Sequence, residues 1–295
     1  MAKMSESSKD LSLSIKTADI QNYLDKIGSL DDGDIDLVQA ALSIASQGAP
    51  NLSTERYYYH VQKMGVQADK RYKEILKAGG AADAGSQLAS LKHILIEKND
   101  YRGNAEEYDN LDNANLVRVI EQRKGLPIAL AILYVQVGRL AGFDVSALSF
   151  PAHVVCRLDH QGERLIFDPF SDCKLMQAPD LRALLKQLVG QHAELSADFY
   201  SPSNNRDMLI RLQNNIKLRQ IEGEDYKAAA KTVDVMRKLD PTEYRFSLDS
   251  GILSARLGQY HRAIHDLEHY IAKEPSGMRK QEALTILQQI KSNMN

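Results

Sequence analysis

Cysteine is scarce in this 295-residue chain, with only Cys156 and Cys173 present. That scarcity excludes a disulfide framework and a four-cysteine zinc site, and it suits a reducing compartment. Charge of one sign is lacking as well. Lys+Arg number 37 and Asp+Glu 39, a net charge of -2, which excludes a strongly basic nucleic-acid binder and an acidic disordered chain. No apolar run approaches the roughly 20 residues that a membrane-spanning helix needs. The longest, Leu126 to Val135, is too short and carries Tyr134. The opening stretch MAKMSESSKDLSLSIK has no apolar segment of the kind a secretion signal requires. The expectation is a cytoplasmic protein with no membrane or nucleic-acid partner. Hydrophobic residues make up 43%, enough for an ordinary core, and the length exceeds one typical domain of roughly 100–200 residues.

Residues 1–16 are polar and read as a disordered tail. From there the pattern is helical. Thr17 can cap a helix presenting Ile20, Leu24 and Ile27, and Asp34 introduces Ile35, Val38 and Leu42. Ser53-Thr54-Glu55 opens a segment carrying Tyr57, Val61 and Met64. Tyr57, Tyr58 and Tyr59 point about 100° apart on a helix, so one is expected in the core and two partly exposed. Beyond Gly79-Gly80, Leu88, Leu91 and Leu95 form another stripe. A polar loop, Asn99 to Asn110, leads to Asn113 as the expected cap of a helix through Arg123, with Gly125 as its breaker. Leu126–Ala141 is apolar on nearly every face and reads as a helix buried all round. Pro127 sits in its first turn, where a missing N–H costs nothing.

A change of character follows. Phe143–Phe150, Ala152–Leu158 and Arg164–Phe167 read as strands, the last two joined through Asp159-His160-Gln161-Gly162, and they form the one sheet expected. Helix resumes near Pro179-Asp180, and the polar stretch Ser201–Arg206 marks a boundary. Beyond it Tyr226, Ala229 and Pro241 recur as Tyr260, Ala263 and Pro275, each 34 residues later. That period resembles the tetratricopeptide repeat. Two repeats and a terminal helix are fewer than the roughly three units a solenoid needs. They are therefore expected to lean on the helices of residues 180–200.

His153 and Asp168 lie 15 residues apart after the buried helix. With Arg123–Leu130, Tyr101–Asn104, Phe150–His153 and Phe167–Phe170, this order resembles a bacterial family that joins a transglutaminase-like, papain-related domain to tetratricopeptide repeats. The family carries a siroheme-synthesis label that no residue here supports. The resemblance implies a mostly helical α+β fold. A transglutaminase-like domain with a small antiparallel sheet would span 17–204, and a helical repeat domain 205–295. It implies a nucleophilic Cys at the start of a buried helix, where the helix end and a neighbouring His lower the thiol pKa and an Asp fixes the imidazole. Aligned on Arg139 to Gly142, that Cys position is occupied by Pro127. The degenerate-site candidates are then Pro127, His153 and Asp168, with Asn104, Tyr108, Phe150 and Phe170 around the pocket.

Cys156 lies three residues after His153, on the opposite face if the strand is regular. Cys173 lies in a loop five residues past Asp168 and can fold back. Two functional readings follow. One is a non-catalytic cytoplasmic interaction or regulatory protein with a protein or peptide partner and no cofactor. The other is a papain-like amidase, peptidase or acyltransferase using Cys173 or another nucleophile with His153 and Asp168. Carried over from the repeat family, a peptide groove would comprise Arg211, Asn214, Leu218, Ile221, Arg245, Leu248, Ile252 and Arg256. Residues 206–295 carry 15 basic and 12 acidic side chains, so a mildly basic groove is expected. His261, His265 and His269 share a helix face but lack committed co-ligands, and no metal site is expected.

Overall fold

The computed structural model describes residues 20, 22–47, 49 and 51–294, so the polar tail and the Thr17 cap lie outside the described residues. Helix α1, Tyr23–Ile27, and α2, Leu37–Ala45, bury Ile20, Leu24, Ile27, Val38 and Leu42. The cap of α2 is Asp36, whose carboxylate accepts the Gln39 amide at 2.9 Å, rather than Asp34. The long α3, Glu55–Lys77, turns Tyr57, Tyr58, Val61, Met64 and Ala68 inward. Two of its three consecutive tyrosines are buried, not one. Tyr58 finds a partner in the Asp36 carboxylate at 3.0 Å, which makes its burial tolerable.

Helix α4, Ala84–Lys92, runs on as a π-helical segment, His93–Lys98, and buries Leu88, Leu91 and Leu95. The short strand β1, Arg102–Gly103, pairs in parallel with β2, Lys124–Gly125, a sheet that the sequence pattern did not disclose. Between them α5, Leu116–Gln122, is capped by Asn115, which accepts the Val117 and Arg118 amides. Asn113 is instead buried in the preceding turn. The helix stops at Arg123, whose φ is 63°, before Gly125 is reached.

The centre of the molecule is α6, Pro127–Leu140, whose side chains are buried from Pro127 through Gly138. Its neighbours approach closely. A β-carbon at Gly65 would lie 2.3 Å from Leu140, and one at Gly138 would lie 2.5 Å from Val145. The second sheet runs β3, Asp144–Ala147; β4, Cys156–His160; β5, Glu163–Asp168; and β6, Lys174–Leu175, antiparallel throughout in that order. Gln161 and Gly162, with φ of 48° and 88°, make the tight β4–β5 turn. The expected strand through His153 does not form. Residues 151–153 bend, and Ala152 has a φ of 59°.

Helix α7, Ala178–Val189, covers the sheet through Leu181 and Leu185. The repeat helices follow: α8, Asn205–Glu222; α9, Tyr226–Leu239; α10, Phe246–Arg256; α11, Tyr260–Lys273; and α12, Met278–Met294. They lean on α1 and α2 rather than on residues 180–200. Met208, Leu209, Leu212 and Leu239 belong to the same core cluster as α1, α2 and α6. Asp32 accepts the backbone amides of Asn205 and Arg206 at 2.9 and 2.8 Å. The Arg206 guanidinium donates to the carbonyls of Ile27 and Leu239, the last residues of α1 and α9, and to that of Leu30 in the turn after α1; the Ile27 carbonyl also accepts the Leu30 amide.

Replacing Arg206 with Leu strands the Leu30 and Leu239 carbonyls. The expected cost is about 2–3 kcal/mol, read as a lower denaturant midpoint in a single transition that still carries α1 and α9 together.

Candidate functional site

A cleft of about 610 Å3 opens at the junction of the sheet, α6 and α8. Its lining includes Pro127 and Ile128 from α6, Ser149 to Val154 from the bend after β3, Tyr108 from the polar loop, and Arg211, Asn215 and Leu218 from α8. Each wall follows from local sequence. The start of α6 faces the cleft because Leu126 is extended and Pro127 takes the first helical position, with no side chain capping that end. The bend at residues 151–153 turns His153 inward, so its side chain is only 10% exposed.

His153 Nε2 lies 3.0 Å from Asp168 Oδ2. The carboxylate sits off the ring N–H axis, so the pair is a close polar contact rather than an aligned hydrogen bond. Asp168 is the cap of the turn Pro169–Ser171. Its Oδ1 accepts the Phe170 amide at 2.9 Å, and Oδ2 accepts the Ser171 hydroxyl at 2.8 Å. Burial works to raise the Asp168 carboxyl. The imidazole, the Ser171 hydroxyl and the Phe170 amide outweigh it and hold the group below its ordinary value. Phe170 stands edge-on to His153 at 6.1 Å and to Tyr108 at 5.8 Å. Gly103 permits this, since a β-carbon there would lie 2.5 Å from the Phe170 ring.

Both thiols sit elsewhere. Cys156 is fully buried between Ala147 and Phe167, and burial pushes its thiol well up. Cys173 donates to the Tyr134 hydroxyl at 2.8 Å inside the core, and burial raises it to about 12. Neither lines the cleft. The two serines that do, Ser149 and Ser203, share a hydrogen bond of 3.2 Å with each other.

Of the expected pocket residues, Tyr108 and Phe150 line the cleft, and Phe170 stands behind them. Asn104 does not. It is buried, bonds Asn113 Oδ1 at 3.0 Å and accepts the Glu107 amide, which shapes the loop carrying Tyr108. Arg219 pins that loop from α8, donating to the Tyr108 carbonyl and Asp109 at 3.2 Å. No motif could have disclosed this role of Arg219, because its partners in the loop lie 111 and 110 positions away. Ser171 was legible in the Asp-Pro turn signature.

The expected groove is split. Arg211 and Leu218 face the cleft, whereas Asn214, Arg245, Leu248 and Ile252 line a separate cavity of about 590 Å3. Ile221 packs with Val233, Met236 and Leu253, and Arg256 lies over the Tyr226 ring at 5.3 Å. The second cavity is not basic. Asp207, Asp240, Glu243, Asp249 and Glu282 outnumber Lys217, Arg245 and Arg279 there. Among the described residues no group of His, Cys, Asp and Glu is placed to hold a metal ion.

A model of the transglutaminase-like superfamily matches residues 55–214, and one of the tetratricopeptide repeat matches residues 216–291. The chain belongs to the transglutaminase-like superfamily and continues into tetratricopeptide repeats. It is similar to a UPF0162 protein of Xylella fastidiosa, 29% identical over 257 residues, covering 85% of this chain and 88% of that protein. A UPF0162 protein of Vibrio cholerae is 24% identical over 243 residues, covering 82% of this chain and 87% of its own. F-box only protein 21 of Homo sapiens is 25% identical over 178 residues, covering 58% of this chain and 28% of that protein. No solved structure matches the chain significantly. Among the described residues no helix is long and apolar enough to cross a membrane.

The depressed Asp168 carboxyl has a stability signature. Its contribution is present above the ordinary carboxylate value, about 3.9, and is lost as pH falls through the lower folded value. Asp168→Asn is expected to cost about 1–3 kcal/mol at pH 7, and the gap to the parent narrows in strong acid, as read by denaturant midpoints at each pH.

Proposed function

We propose that the protein is a non-catalytic cytoplasmic interaction or regulatory protein that binds a protein or peptide partner in the transglutaminase-like cleft. The observation that carries this reading is Pro127 at the first position of α6, lining the same cleft as the His153–Asp168 pair. A cysteine at that position would have its thiol pKa lowered by the helix end and the nearby imidazole. Proline offers only ring carbons, and it lacks the amide that would otherwise help to stabilise an oxyanion there.

The remaining nucleophiles support the same reading. Acyl transfer needs a nucleophile within hydrogen-bond reach of its base. Cys173 is committed to Tyr134, Cys156 to the core, and Ser149 to Ser203. What is left is an apolar-walled recess with a few polar groups, the usual make-up of a recognition site. The repeats close one wall of it through α8, so the partner would touch both parts of the chain. The siroheme label adds nothing to this reading, since no side chain in the cleft speaks to it.

The test is thiol chemistry. At pH 7 the folded parent is expected to resist iodoacetamide at both cysteines, by mass spectrometry. Pro127→Cys should gain a single labelled thiol, and adding His153→Ala should slow that labelling about tenfold or more. Labelling of Cys173 in the parent that His153→Ala abolishes, or turnover of an amide substrate that depends on His153, would overturn the reading.

A further inference from the structure

Among the described residues the Arg211 guanidinium, which lines the cleft, forms no ion pair with a carboxylate. Arg219, Arg237, Arg245 and Arg262 of the repeat helices each meet a carboxylate, at Asp109, Asp266, Glu243 and Asp234. Arg211 meets none. Its guanidinium donates to the His153 backbone carbonyl and lies near the Tyr108 phenol. Asp207, one turn earlier on α8, also borders the cleft, but the charges that act on it are those of Asp32, Asp240 and Arg206. Burial lowers the Arg211 pKa, as it must for a guanidinium taken from water without a counter-ion. Such a group costs stability unless something supplies the missing charge.

Two further features face the same space. The Ile128 and Ala129 amides at the start of α6 have no acceptor among the described residues and no capping side chain, and Ile128 lines the cleft. That end of a 14-residue helix carries the positive pole of its dipole. His153 Nε2 lies beside Asp168 Oδ2, and among the described residues no hydrogen bond engages its other ring nitrogen. Donors from two separate walls therefore converge, with no anion among them except Asp207 at the border.

We propose that the cleft takes a carboxylate group, held by the Arg211 fork and by the open end of α6. This inference rests on the reading of the cleft as a binding site and names what that site selects. The charge on offer is a single guanidinium plus neutral amides, while the imidazole is already matched by Asp168. That total suits a monoanion better than a doubly charged phosphate, which would also meet Asp207. The planar guanidinium matches a carboxylate through two parallel hydrogen bonds. Phe150, Leu218 and Tyr108 give the rest of the recess an apolar lining for the attached residues. A chain-terminal carboxylate and an Asp or Glu side chain present the same group.

Synthetic arrays of random heptapeptides separate these cases on the full-length protein. One arm carries free C-termini without Asp or Glu, one carries amidated C-termini with them, and one carries neither. Retention is expected in the first or second arm, which identifies the source, and not in the third. For a retained peptide, Arg211→Gln should weaken binding about 10- to 100-fold, the effect of losing a charge-assisted pair, while Arg211→Lys keeps part of it. Raising the salt should weaken the parent complex. The array comparison uses the parent alone, so it stands even if a variant folds poorly. Equal retention in all three arms, or acid-dependent binding that a folded Arg211→Gln protein keeps, overturns this inference and leaves the cleft as a peptide site. No retention in any arm overturns both.

Discussion

The molecule is organised by the demand that α6 be covered on every side. A helix with apolar residues all round its circumference cannot lie at a surface, because each uncovered Leu, Ile or Val side chain forfeits about 1.5–3 kcal/mol of burial. Here α3 crosses one face at Gly65, β3 packs at Gly138, and the remaining faces meet α2, β1 and α8. Once this cover is in place, the position of the cleft follows. The first turn of α6 is the end of a fully enclosed rod, and the elements that wrap it leave their gap at that end. The same enclosure explains the inert thiols. Cys173 and Cys156 sit among the residues that cover α6, so their sulfur atoms serve as packing volume and lose thiolate character through burial.

That enclosure also decides how the repeats are used. Two tetratricopeptide units cannot bury their own core, and the chain solves this by giving α8 and α9 to the main cluster. The cost of the solution is that α8 no longer presents a free concave face. Arg211 and Leu218 are drawn to the cleft, Arg219 to the Tyr108 loop, and Lys217 to Asp249 inside the second cavity. A groove extrapolated from free-standing repeats therefore breaks into unrelated pieces. Repeat periodicity determines which residues share a helix face, but not which body that face will meet.

The fold was legible where burial was local. The all-round apolar pattern of Leu126–Ala141 and the 34-residue recurrence each announce their own structure, and the hairpin read at Asp159–Gly162 forms with Asp159 and His160 inside β4 and only Gln161-Gly162 in the turn. His153 was harder. Its β-branched neighbours Val154 and Val155 suggest a strand, yet the positive φ of Ala152 breaks the run just before it. No residue type forces that conformation at Ala152, so it arises from packing at the junction. The caps show the same limit at smaller scale. Asn113 and Asn115 are equally good candidates by type. Only the demand of the buried Asn104 side chain for a partner assigns Asn113 to the loop and leaves Asn115 to the helix. The short β1–β2 pair carried no signal at all, since two residues set no period.

The electrostatics of the cleft complete the argument. The His153 imidazole and the Asp168 carboxylate face one another within the chain, so the pair already has its partner before any ligand arrives. Arg211 differs because its neighbours on α8 are occupied elsewhere, and the surrounding apolar walls reduce the water that could solvate it. The α6 amides differ in the same sense, as donors whose ordinary acceptor would be a capping side chain that the Leu126-Pro127 sequence does not supply. One of these groups belongs to the helix that the whole fold encloses, and the other belongs to α8, which carries the end of the transglutaminase-like match and the start of the repeat match. An acceptor bound between them would satisfy both at once, and it would do so across the junction where the two parts of the chain meet. Occupancy of the cleft and the stability of that junction are then linked quantities, because any ligand that binds only the assembled form must favour it.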